Sequence, residues 1–312
     1  MGAPTFTIAM PAHQASATVG AAIRSVLAQT RGDFELVVVD DGSTDGTAET
    51  VERFRDDQRI RLMRQENRGP AHARNTAIAA GRGRYVSMLD SDDLWLPTYL
   101  ESMERALRAS PRAGLAYTDA WVLDDVSRRI QRVTAMHYQD PPDPPPADAE
   151  GFLSALLERN FVFTSATVPR TVLEDVGPFN VGLEASEDYE LWLRIVARGY
   201  PAVRVPGLRA VYRRKPGSLS TDQERMLGGM ARALRLACEE RIPAEATELA
   251  RRRAERIEAE LAARRGAPGI QAAVVRARIR AVLLKEAVVR PFLWHRTVPR
   301  DIQVAFPDLR AP

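Results

Sequence analysis

Short apolar runs alternate with amphipathic stretches through the first 120 residues. Phe6–Met10, Glu35–Asp40, Arg59–Arg64 and Tyr85–Leu89 read as strands. Between them, Thr18–Gln29 repeats apolar residues at Val19, Ala22, Ile23, Val26 and Leu27, the spacing of one helix face. Thr47–Phe54 and Ala71–Ala80 follow the same rule. This alternation predicts an α/β chain, a βαβ sheet with helices on both faces. Each strand ends in polar or acidic residues, and open α/β sheets bind ligands at the carboxyl ends of their strands.

The pattern then breaks. Residues 137–150 carry Pro141, Pro142, Pro144, Pro145 and Pro146, which exclude a helix or a central strand and predict a loop or extended linker. Mixed character resumes with a helix near Gly151–Arg159, a strand near Phe163–Val168, a helix over Glu187–Ala197, and strands near Ala202–Val205 and Ala210–Arg213. From Gln223 the chain reads as helical and rich in Ala and Arg, interrupted at Pro243, Gly266–Gly269 and Pro291. The expected organisation is an α/β unit over 1–222, in halves of about 1–120 and 150–222, followed by a helical extension over 223–312.

Composition narrows the class. With 312 residues, 45% hydrophobic and 27% charged, the chain is neither disordered nor fibrous. Its one cysteine, Cys238, cannot form an intrachain disulfide, which points to a reducing compartment, the cytoplasm. No apolar run approaches the ~20 residues that span a bilayer. Charge is uneven: residues 224–312 hold 18 Lys and Arg against 11 Asp and Glu, a surplus of +7 that leaves residues 1–223 at −4 of the net +3.

Two motifs carry candidate chemistry. Val37-Val38-Val39 runs into Asp40-Asp41-Gly42-Ser43-Thr44-Asp45-Gly46-Thr47. Asp45 and Thr47 suit the cap of the next helix. Side chains alternate along a strand, so one of Asp40 and Asp41 points into the crevice, able to accept a hydrogen bond from a base or ribose. The second motif, Asp90-Ser91-Asp92-Asp93, follows Tyr85–Leu89. Three carboxylates in four residues repel one another, a cost that a cation offsets, and oxygen ligands suit Mg²⁺ or Mn²⁺ shared with a substrate diphosphate.

These motifs, with Ile8-Ala9-Met10-Pro11, Asn67-Arg68-Gly69, Ala73-Arg74-Asn75, Gly83-Arg84-Tyr85 and Ser186-Glu187-Asp188-Tyr189-Glu190-Leu191-Trp192-Leu193-Arg194, resemble family 2 glycosyltransferases in order and spacing over about residues 5–220. The resemblance implies a GT-A fold, a Rossmann-like mixed sheet flanked by helices, with a nucleotide-sugar donor across the first strands. Its base would lie near Pro11, Ala12, Asp41 and Arg74. Asp92, helped by Asp90 and flanked by Ser91, would hold Mn²⁺ or Mg²⁺ on the diphosphate. Asp188 would be the general base of an inverting transfer, with Glu187 as runner-up or orienting neighbour. The bland alternative for Ser186-Glu187-Asp188 is a good helix N-terminus.

Two positions depart from the family pattern. His13-Gln14 stands where members usually have Tyr-Asn, so an imidazole would have to serve the base. Lys215 stands where a histidine often reaches the metal or diphosphate. An ammonium cannot ligate a cation, but Lys215, Arg213 or Arg214 could contact the diphosphate directly.

The implied reaction moves a sugar from a UDP- or dTDP-sugar to a hydroxyl of a glycan, lipid-linked or small-molecule acceptor. A sugar-1-phosphate nucleotidyltransferase is the rival, but Pro11-Ala12-His13-Gln14-Ala15 lacks its glycine-rich basic loop. A non-catalytic nucleotide-sugar-binding protein would leave Glu187-Asp188 unexplained. The C-terminal helices are expected to pack on the catalytic unit or form a homodimer. The basic and apolar stretch Ile270–Val289, followed by Phe292-Leu293-Trp294, raises peripheral contact with the inner face of the membrane as the alternative. Interspersed glutamates argue against a nucleic-acid partner.

Overall fold

The computed structural model describes residues 2–126, 129–136 and 141–265, together with Ile302. Three parallel pairings build the first half. β1 (Phe6–Ala12) lies between β2 (Phe34–Asp41) and β4 (Tyr85–Met88), and β3 (Ile60–Gln65) pairs outside β2. The chain therefore runs outward through β1, β2 and β3, then returns to the other side of β1. That reversal is a topological switch point, and it opens a crevice at the ends of β1 and β4.

Helices α1 (Val19–Leu27), α2 (Thr47–Glu52) and α3 (Pro70–Ala80) connect these strands. The period of two along a strand divides the core. Phe6, Ile8, Met10, Leu36 and Val38 pack with α1 on one face, whereas Ala9, Val37 and Val39 pack with α3 on the other.

The second half extends the same sheet. β8 (Ala166–Pro169) runs antiparallel to β4 and to β6 (Leu115–Asp124). β9 (Ala202–Arg214) runs parallel to β6, and β5 (Leu94–Trp95) closes the edge antiparallel to β9. β7 (Arg129–Thr134) pairs with β6 off the main path. Helices α4 (Tyr99–Ala109), α5 (Ala149–Glu158), α6 (Arg170–Val176) and α7 (Glu187–Ala197) cover its faces.

Several elements differ from the sequence expectation. β5, α4, β6, β7 and α6 were not anticipated. β9 is one strand through Pro206 and Gly207, where two had been expected; Gly207 takes φ +78 and the β6 register shifts there, so a local irregularity absorbs the break without ending the strand. The proline-rich segment is irregular over residues 141–148, and residues 137–140 lie outside the described ones.

Beyond a short 3-10 turn at Leu219–Thr221, α8 (Gln223–Ala237) and α9 (Ala244–Arg264) contribute Ala231, Ala233, Leu234, Ala250, Ala254 and Ile257 to the core cluster that holds α5 and α7. Their small-residue face thus packs beside α5 and α7. Residues 270–289, for which a membrane surface was the alternative, lie outside the described residues. Ile302 is buried against Leu94, Leu123, Ile130 and Val211. Among the described residues, no helix is long and apolar enough to cross a membrane.

Candidate active site at the strand ends

At the end of β2 the two acids take different roles. Asp40 Oδ1 accepts from the Ser43 amide at 3.1 Å and holds the turn. Asp41 Oδ1 accepts from Gln65 Nε2 (2.8 Å) and the Arg68 amide (3.0 Å), and Oδ2 from the Gly69 amide (2.8 Å). Two carboxylate oxygens offer about four acceptor sites. Three are taken, so Asp41 is oriented and keeps one site for a donor such as a base N–H.

Gly42 makes this approach feasible. It takes φ +72, and a Cβ there would stand 2.8 Å from the Asn67 amide nitrogen. Pro11 and Ala12 pair with Val39 and Asp40 in the buried end of β1. Next to them, exposed His13 places Nδ1 2.8 Å from the Asp41 carbonyl oxygen, with Asn67 Nδ2 3.2 Å from Nε2. The neighbouring loops interlock through Gln14–Thr44, Ala15–Thr47 and Ser16–Asp45 hydrogen bonds. Burial is the largest single influence on Asp45 and opposes its ionisation, but the hydrogen bonds from Thr47 and Ser16 together outweigh it and hold the carboxyl at about 2.

Arg74 of α3, grouped with Asp41 by the resemblance, directs its guanidinium elsewhere. Nη2 donates to Asp90 Oδ1 at 2.6 Å, and Nη1 donates to Glu187 Oε1. The side chain is buried, and the Phe179 ring lies 5.4 Å from its guanidinium carbon. Burial alone would lower its affinity for a proton; Asp90, Glu187 and Asp188 reverse that and hold it firmly charged. Nε is buried without a partner among the described residues.

Beyond β4, Asp92 Oδ2 lies 3.3 Å from Lys215 Nζ. Burial raises the Asp92 pKa, Asp90 adds repulsion, and Lys215 offsets part of it. Asp93 is buried and accepts from the Arg213 amide at 2.8 Å; burial and its two acidic neighbours push it well above the carboxylate range. Arg213 also donates to the Asp92 carbonyl and to Asp125, both at 2.8 Å. The end of β9 is thereby fastened to the acidic loop, which brings Lys215 to Asp92.

A divalent cation fits this site in one way. Asp90 and Asp92 are hard oxygen donors two residues apart, each with one oxygen engaged by a cationic side chain and one still available. Among the described residues no group of three side-chain ligands could cage a metal. The donor set therefore suits an ion completed by water and phosphate oxygens.

The acidic pair sits at the start of α7. Asp188 Oδ2 accepts from the Thr164 hydroxyl and Oδ1 from the Tyr189 amide, both at 2.7 Å. Burial, with the charge of Glu187, raises its pKa to about 6, although Thr164 and Arg74 pull the other way. Asp188 is partly exposed, whereas Glu187 is buried on Arg74. Trp192, one turn on, is fully buried and belongs to the core.

Thr164 and Phe179 carry no sequence signal for the site, whereas Arg213 is expected beside Arg214 and Lys215 as a contact of the diphosphate. Thr164 had no local signal, since only the placement of the irregular segment before β8 brings it to Asp188. Arg213 was legible as one of three basic residues in a row, but not its partners.

The fold is that of the GT-A glycosyltransferases. Mannosyltransferase PcManGT from Pyrobaculum calidifontis, solved in complex with GDP-Man and Mn2+, superposes with a TM-score of 0.62 at 22% identity, over 91% of this chain and 81% of that one. S. aureus TarS 1–349 in complex with UDP-GlcNAc gives 0.58 at 17% identity, over 83% and 72%. At such identities the likeness concerns the fold.

Sequence places the chain more narrowly. The model of glycosyl transferase family 2 matches residues 7–175. Succinoglycan biosynthesis protein ExoO of Rhizobium meliloti (strain 1021) is 34% identical over 220 residues, 70% of this chain and 63% of that protein. The UDP-Glc:alpha-D-GlcNAc-diphosphoundecaprenol beta-1,3-glucosyltransferase WfaP of Escherichia coli is 26% identical over 219 residues, 70% and 80% of the two chains. The chain belongs to glycosyl transferase family 2.

Proposed function

We propose that this protein is an inverting, metal-dependent glycosyltransferase. It moves a hexose from a UDP- or dTDP-sugar to a hydroxyl of a glycan, lipid-linked or small-molecule acceptor. The observation that carries this reading is the placement of a carboxylate with a pKa near 6, Asp188, beside the acidic loop Asp90–Asp93, with Arg74 between the two.

The chemistry follows from that arrangement. Asp188, deprotonated above about pH 6, takes the proton of the acceptor hydroxyl. The acceptor oxygen forms its bond to the anomeric carbon as the bond to the diphosphate breaks on the opposite face, which inverts configuration. The bonding pair leaves with the nucleoside diphosphate. Lys215 lies where it can meet that growing charge, and Arg74 holds Asp90 and Glu187 in register across the cleft. A divalent cation on Asp92 and Asp90 would add Lewis-acid charge at the diphosphate.

Asp41 and His13 serve the base, with Pro11 and Ala12 forming the floor beside it. Ser91 sits between the two metal-facing acids. Residues 1–222 are the catalytic domain, and residues 223–312 are a C-terminal extension of it. The name of WfaP includes a UDP-sugar donor and a diphosphoundecaprenol acceptor, which favours a similar pairing here. A lipid-linked acceptor would bring a cytoplasmic enzyme to the inner face of the membrane. The test is thermal stabilisation and sugar release with a panel of UDP-, dTDP- and GDP-sugars, with Mn²⁺ and with chelator. No response to any nucleotide sugar would reject the reading.

A further inference from the structure

Helix α8 stands directly behind the turn that presents the acidic pair. Ser186 precedes Glu187 and takes φ +60, ψ +26, a left-handed conformation uncommon for serine. Serine is among the preferred helix caps, and a cap residue usually takes extended backbone. Here the Ser186 hydroxyl makes no cap bond to α7. It donates instead to the Met226 carbonyl of α8, at 3.4 Å.

Gly229 of α8 meets the same turn. A Cβ at that position would stand 2.2 Å from the Ala185 carbonyl oxygen and 2.7 Å from its carbon, both backbone atoms. No side chain fits. At its neighbour Gly228 a Cβ would meet nothing within 4 Å. Glycine weakens a helix interior, so the contact at 229 gives a packing reason for one of the two that the other lacks. Arg225 adds a 3.8 Å ion pair to Glu184. Ala185 and Ser186 are both buried.

We propose that Gly229 and Ser186 are positioning residues for the transfer step. α8, which lies beyond the residues matched by the family model, braces the Ala185–Ser186 turn in its left-handed conformation. The brace fixes the base of the acidic pair, while Arg74 and Thr164 hold the two carboxylates at their tips. A displaced turn would move Asp188 off the acceptor hydroxyl, and general-base transfer falls steeply with such misplacement. This inference rests on the function proposed above.

The experiment compares single variants of the full chain. Transfer is measured from whichever sugar of the UDP-, dTDP- and GDP-sugar panel the wild type uses, and the Kd of the matching nucleoside diphosphate with Mn²⁺ is measured by calorimetry. Gly229→Ala is expected to lower kcat about ten-fold or more, with donor KM and nucleotide Kd within about two-fold. Gly228→Ala should leave kcat unchanged and raise Tm, because alanine favours a helix. Ser186→Thr should lose transfer as Gly229→Ala does, since a β-branched residue resists positive φ, whereas Ser186→Gly, which accepts that φ but lacks the hydroxyl, should keep more of it than Ser186→Thr.

The Ser186 pair keeps the test decisive even where Gly229→Ala does not fold. Equal losses in Gly228→Ala and Gly229→Ala, or full kcat in Ser186→Thr, overturn the proposal. A wild type that transfers from no UDP-, dTDP- or GDP-sugar overturns the functional reading instead, and is distinguished by needing no variant.

Discussion

Arg74 and Glu187, separated by 113 positions, meet in a buried ion pair, and the same guanidinium reaches Asp90 at 2.6 Å. One side chain of α3 thereby ties the acidic loop after β4 to the acidic pair on α7. Both members of the Arg74–Glu187 pair are nearly inaccessible, with 5% and 6% of their side chains exposed. Such a pair is costly to break, because removal of one partner strands a charge.

Arg74→Met should therefore destabilise the protein by about 3–5 kcal/mol, measured by urea denaturation. Arg74→Met with Glu187→Gln should recover part of that loss, since the stranded carboxylate is gone. If both variants are equally unstable, the pair is not what Arg74 supplies.

Asp188→Asn should keep nucleotide affinity and lose transfer by about 10²–10⁴-fold. In the wild type, kcat should rise with pH and reach half its plateau near the Asp188 pKa of about 6. A flat profile between pH 5 and pH 8, by steady-state kinetics, would move the base elsewhere.

The same shift makes Asp188 a stability cost at neutral pH. Its folded pKa, about 6, lies above the ordinary value of 3.8, so the folded state holds the proton more tightly. That contribution is fully present below about pH 4 and is lost as pH rises through 6. Asp188→Asn should thus be more stable than wild type at pH 7, by on the order of 3 kcal/mol, with the difference vanishing near pH 4. Calorimetric melts at the two pH values check it.

Asp92→Ala should abolish the dependence of UDP binding on Mn²⁺ while leaving Tm within a few degrees. Its pairing with Lys215 is partly exposed, and such pairs contribute about 0–1 kcal/mol. Titration calorimetry with Mn²⁺ and with chelator decides. Unchanged Mn²⁺ dependence would place the metal on other groups.

The proline-rich segment joins β7 to α5, and its Asp143 reaches Arg204 of β9 at 3.4 Å. Replacing Pro141–Pro146 with a Gly-Ser linker is expected to raise the acceptor KM and leave donor affinity alone, because a freer loop has more entropy to lose when an acceptor orders it. Equal acceptor kinetics would make the segment a tether.

Local chemistry was legible where it is written in consecutive residues. The apolar run of β2 into Asp40-Asp41-Gly42, the acidic loop after β4 and the Glu187-Asp188 start of α7 are short-range patterns, set by side-chain period and turn-forming residues. The helical character of residues 223–264 was equally plain from its spacing, and Pro243 precedes α9 as the sequence suggested.

What joined these pieces was decided at long range. Nothing near Arg74 announces that it will bridge Asp90 and Glu187, and nothing near Ser186 announces that its hydroxyl turns to Met226 instead of capping α7. The sheet order, with β8 against β4 and β9 against β6, sets both outcomes. Strand pairing is chosen by the burial of whole faces, a sum over many residues that no local window contains. The sequence alone determined which carboxylates this protein has at its strand ends; the tertiary structure decided which cation, hydroxyl and helix each of them meets.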